Sequence, residues 1–157
     1  MSNLDRLIAL AGEVFDAKND PEQISVTEQD MERLHALHPA SMSQEATEDG
    51  PIAWILIFPT TRELMDRFLG KEISERELVA LTPIGGTFEA VYLCSALVLP
   101  EYRGKGIARR LTVNAIRSIQ QDHPIEHLFV WPWSKEGDRA AESVARETGL
   151  ELRVRQA

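Results

Sequence analysis

The stretch Ala96–Leu111, A-L-V-L-P-E-Y-R-G-K-G-I-A-R-R-L, constrains this chain more than any other. An apolar run ends at Pro100 and a short basic loop follows. From Ile107 apolar residues recur at helical spacing through Leu111, Ala115 or Ile116, and Ile119. The order is strand, loop, helix. Gly104 and Gly106 permit backbone conformations closed to residues with a Cβ and let a ligand approach the main chain. The first-turn amides of the helix lack intrahelical partners and face the same space, where the helix dipole favours an anion. Yet Arg103, Lys105, Arg109 and Arg110 place four positive charges there. Each opposes the dipole by ~0.3–1 kcal/mol before screening, a local conflict that a bound phosphate would resolve.

Two familiar phosphate motifs do not fit. A P-loop requires a Gly five residues before its G-K pair and a Ser or Thr after the Lys. Leu99 and Gly106 occupy those places. A dinucleotide G-x-G-x-x-G fingerprint requires a small residue where Arg109 stands, and its first Gly directly after the strand. Pro100–Arg103 intervene here, and Glu126, at a suitable distance for the acidic partner, opens the next apolar run instead of closing it.

What remains, Arg103-Gly104-Lys105-Gly106-Ile107-Ala108, resembles the pyrophosphate loop Q/R-x-x-G-x-G/A of the GNAT acetyltransferase superfamily. Val98, Pro100, Glu101 and Tyr102 precede it as V-x-P-E-Y, and a helix opens after it. The resemblance runs through Leu150 and is weak before Ala90.

The rest of the chain can be set around that centre. Leu4, Leu7, Ile8, Ala11, Val14 and Phe15 predict an amphipathic helix over 3–17, broken at Asn19-Asp20-Pro21. Gln23–Val26 reads as a short strand. Thr27 reads as the N-cap of a helix through Met31, Leu34 and Leu37, which His38-Pro39 stops. Residues 41–58 read as a hairpin: a weak strand around Met42–Thr47, a turn at Glu48-Asp49-Gly50-Pro51, and a buried strand Ile52–Phe58. Trp54 reads as part of that core, with ligand contact as the alternative. Thr60–Leu69 and the capping-box segment Ser74–Leu81 read as two short helices. In the family resembled, a tight hairpin often stands there, so 60–82 reads as an insertion that either covers an acceptor pocket or only elaborates the surface. Glu89–Leu99 is the central strand, and the helix from Ile107 ends near Gln121. Ile125–Trp133 is the next strand, Asp138–Thr148 the last helix and Leu150–Val154 a terminal strand.

The resemblance implies one mixed α/β domain over 1–157. Its GNAT-like three-layer fold has helices on both faces of a central mixed sheet, whose parallel fourth and fifth strands splay apart to admit acetyl-CoA. On that reading Leu97, Val98 and Leu99 pair with the pantetheine arm, and the amides of Arg103–Ala108, including those of Gly104, Lys105, Gly106 and Ile107, hold the pyrophosphate. Asp138, at the place of a family Asn, joins the cofactor-binding residues. The implied activity is acetyl transfer from acetyl-CoA to a primary amine of a small molecule or peptide, with a backbone N–H near Val98 for the oxyanion.

The family's thiolate acid is a Tyr on the last helix, and here Ala145 replaces it. Tyr92, Cys94 and Ser143 are candidates for the vacant role, and Glu89 is a candidate base. A Tyr or Cys in an apolar strand also packs as ordinary core, and Glu89 could simply be solvated. Trp131-Pro132-Trp133 could line an acceptor pocket or pack against the last helix. The rival function is a CoA-binding sensor or interaction module without turnover, motivated by Ala145.

A formal charge of −8, with no basic stripe outside 103–110, argues against nucleic acid as partner. The single cysteine, Cys94, suits a reducing cytoplasm, and no run is long enough to span a membrane. His35, His38, His123 and His127 make no metal-binding set. The oligomeric state stays open, a homodimer included.

Overall fold

A hairpin of β1 (Met42–Thr47) and β2 (Gly50–Thr60) leads the sheet, with turn residues Glu48 and Asp49 between them. The computed structural model describes residues 2–18, 28–132 and 135–156. Gly50 is needed in the turn because its φ of +110° is closed to most side chains. β3 (Ala90–Val98) pairs antiparallel with β2, and β4 (His127–Val130) and β5 (Glu151–Val154) add in parallel. The strand order is β1-β2-β3-β4-β5, so β3 is central, as the sequence predicts. The fold is mixed α/β. The strand expected at Gln23–Val26, the cap at Thr27 and Trp133 lie outside the described residues.

The helices are α1 (Asn3–Lys18), α2 (Glu28–Leu37), α3 (Arg62–Leu69), α4 (Glu75–Leu81), α5 (Ile107–Asp122) and α6 (Lys135–Thr148). On α1 Leu7 is buried, but Leu4 and Ile8 are exposed, so the predicted apolar face is only partly covered. Thr61 caps α3 by accepting from the Leu64 amide at 3.2 Å. Ser74 and Glu77 close the predicted capping box on α4, at 3.0 and 3.1 Å. The strand expected over Ile125–Trp133 is shorter, because its ladder on β3 begins only where Ala90 meets His127. α6 starts three residues earlier than Asp138, at Lys135.

Leu64, Met65 and Phe68 of α3 and Leu78 and Val79 of α4 are buried in the main core. Both helices thus contribute to the main core. All of β4 is buried, and since successive side chains alternate faces, both faces of the sheet are covered there. A second, smaller cluster joins Leu7 of α1, Ile52 and Ala53 of β2, Leu97 of β3, Leu99 and Ile107. Leu99 and Ile107 bracket the basic loop and are buried together. Each contributes ~1.5–3 kcal/mol toward holding the loop ends in place.

Candidate functional site

Two breaks in β3 shape the site. Leu56 opposes Ser95 while Ile57 opposes Leu93, so Cys94 is the extra residue of a bulge. The alternation that would set Tyr92 and Cys94 on one face is interrupted there, although both lie in the main core. The parallel ladder to β4 covers only Ala90–Leu93 and stops at Val130. From Cys94 to Val98, β3 therefore has β2 along one edge and no ladder along the other. Backbone groups on such an edge require other partners. The Val98 carbonyl has one, accepting from Arg103 Nε at 3.0 Å.

β3 then enters the loop. A short 3-10 turn over Pro100–Tyr102 precedes Gly104 and Gly106, which adopt left-handed φ values of +79° and +74°. Gly106 is the N-cap of α5, with no side chain to accept from the first-turn amides and no acidic residue in that turn. α3 and α4 both receive side-chain caps, so the bare end of α5 is a local departure. The first intrahelical bond runs from the Arg110 amide to the Gly106 carbonyl, 3.0 Å. Arg6 of α1 reaches Glu101 at 2.6 Å, and it holds that carboxyl below the usual carboxylate range.

The loop faces α6 across a hollow of about 540 Å3, lined by Gly104, Lys105, Gly106, Arg109, Ala140 and Ser143. Arg109 donates to Ser143 Oγ at 3.4 Å and lies 3.5 Å from Glu147. The Lys105 ammonium sits 5.4 Å from the centre of the Tyr102 ring, and Arg110 pairs with Glu45 of β1. Ser143 is thus next to the loop. Asp138, half-buried on α6, is not among the lining residues. Leu97 is buried, Val98 half-buried, Leu99 buried and Ala108 half-buried.

The other sequence-derived candidates stand apart from this hollow. Tyr92 is fully buried, and its hydroxyl donates to Glu75 Oε2 at 2.5 Å. Burial first, then the Glu75 charge, pushes the phenol well above its ordinary pKa, with Arg155 pulling the other way. Phe68 packs edge-on to Tyr92, Phe129 and Trp131, and the Arg155 guanidinium lies 4.5 Å from the Phe68 ring and 4.4 Å from the Trp131 ring. Glu89 precedes β3, roughly 30 Å of strand from Val98, and accepts from the Arg62 amide at 3.3 Å. Cys94 is buried in the bulge. Ala145 is buried in the core.

A second cavity, of about 350 Å3, lies between α1, α2 and strands β1, β2 and β3. Trp54, expected in the core, is half-buried in its wall and donates from Nε1 to Gln44 at 3.2 Å. No residue of α3 or α4 lines it. Neither this cavity nor the buried Glu75 was legible in the sequence, since both arise from contacts between distant segments. In the sequence Glu75 is only one residue of the capping-box segment Ser74–Leu81.

Among the described residues no cluster of three or more His, Cys, Asp or Glu is arranged to hold a metal, and no helix is long and apolar enough to cross a membrane. No protein-family model matches the chain, and no curated protein matches it.

Proposed function

We propose that this chain is an acyl-CoA-dependent N-acetyltransferase of GNAT type, using acetyl-CoA to acetylate a primary amine of a small molecule or peptide. One observation carries the reading: β3 outruns its parallel partner and feeds a left-handed glycine loop at the uncapped start of α5, beside a cationic hollow. A strand edge that runs past its parallel ladder suits an amide-bearing arm, and bare helix amides with Lys105 and Arg109 suit a diphosphate. In the reaction the neutral amine attacks the thioester carbonyl, a C–N bond forms, and the C–S bond breaks. The proton lost by the amine is matched by the one gained by the CoA thiolate. A β3 amide near Val98 would stabilise the oxyanion.

A second reading, a CoA-binding sensor without turnover, is favoured by one feature. Ala145 is a buried methyl group at the family's acid position, and the Tyr92 hydroxyl is already engaged by Glu75.

Calorimetric titration of acetyl-CoA and desulfo-CoA into wild type and Gly106→Trp tests both. Saturable binding to wild type alone supports the loop as the coenzyme site, and turnover on an amine panel then separates enzyme from sensor. Absence of binding to folded wild type refutes both readings.

A further inference from the structure

We propose that the cavity between α1, α2 and β1–β3 takes the hydrophobic body of a small primary amine, which is the acetyl acceptor; this rests on the function proposed above. At about 350 Å3 the cavity falls within the range that encloses small organic ligands. Leu34, Trp54, Leu56 and Leu97 give it apolar walls. Among the described lining residues the charged side chain is Asp30, and none is Lys, Arg or His. A carboxylate or phosphate entering there would meet no cation among those described residues, and the Asp30 carboxylate repels it. An amine meets no such repulsion in its ammonium form, and apolar walls favour its neutral form, which is the nucleophilic one.

The position of the cavity argues in the same direction. Ser95 and Leu97 lie in the wall, and both belong to the part of β3 that extends past the end of the β4 ladder. The cavity and the basic loop therefore share one strand segment, with Val98 and Leu99 leading from one to the other. An acceptor seated on Ser95 and Leu97 lies beside the strand along which the acyl arm would run.

The probes are 2-phenylethylamine, 3-phenylpropionate of the same shape and opposite charge, and the polar amine spermidine. In wild type without acetyl-CoA, 2-phenylethylamine is expected to bind saturably and to shift the methyl resonances of Met31 and Met42 but not that of Met65, which is buried in the main core. Met31→Trp, which adds bulk to the cavity lining, is expected to raise KM for 2-phenylethylamine at least tenfold while acetyl-CoA affinity holds. Equal binding of 3-phenylpropionate, or shifts at Met65 alone, overturns the ligand class. Acetylation of spermidine with no binding of 2-phenylethylamine also overturns it, but leaves the reaction standing. If 2-phenylethylamine binds in the cavity and no amine is acetylated, the reaction fails and the acceptor role with it.

Discussion

Replacing Gly106 with Ala isolates what the glycine loop requires of its backbone. Gly106 has φ +74°, and a Cβ built there would lie 3.6 Å from Arg109 Nη2, an ordinary contact with the end of a flexible side chain. Steric clash therefore contributes little, and the cost is conformational. Holding an L-residue in the left-handed region costs ~1–2 kcal/mol. The reduced freedom of the unfolded chain offsets ~0.4–1 kcal/mol of that. The net loss is about 1 kcal/mol, which lowers Tm by about 2–4 °C for a domain of this size. Gly104→Ala should behave alike, since φ is +79° and nothing lies within 4 Å of the added atom. Asn tolerates this region better, so Gly106→Asn should recover much of the loss. Thermal unfolding by circular dichroism, without ligand, measures all three. An unchanged Tm for both Ala variants, or an Asn variant as unstable as Ala, would refute the conformational argument.

Three further outcomes follow from the core and its titrating groups. Tyr92→Phe leaves the buried Glu75 carboxylate without the phenol donor, and urea unfolding should show a loss of ~1–3 kcal/mol. Phe68→Ala removes a fully buried ring that touches Tyr92, Phe129, Trp131 and Arg155, and should cost ~3–5 kcal/mol by the same assay. His123 has a folded pKa depressed by burial first and then by the nearby His38, against the pull of Asp122. The unfolded chain therefore binds the proton more readily, so the stability linked to His123 is present above pH ~6.5 and lost as pH falls through the folded value. His123→Gln should flatten that part of the profile of unfolding free energy against pH; an unchanged slope would show that His123 does not contribute to it.

Local chemistry settles much of this fold, and those parts are legible in the residues. Two glycines flanking a lysine, ahead of a helical apolar period, lead to the left-handed loop and the bare start of α5. Ser74 and Glu77, three residues apart, define the start of α4. These features depend on neighbours within a turn or two, so spacing alone reveals them. Their function as a coenzyme site remains the proposal to be tested by titration.

Tertiary structure decided what depends on partners far along the chain. Periodicity places Tyr92 on the central strand but cannot show that Glu75, seventeen residues earlier, accepts its hydroxyl in the core. Alternation pairs Tyr92 with Cys94 until the register against β2 inserts a bulge, and a register is a property of two strands. The end of the β3–β4 ladder at Val130 depends on where β4 begins and stops beside β3. The cavity wall joins α1, α2 and three strands, so its apolar character is the sum of side chains that no single window contains. Short-range order is encoded where it occurs, whereas long-range contacts exist only once burial of the shared core has offset the entropy of bringing those segments together.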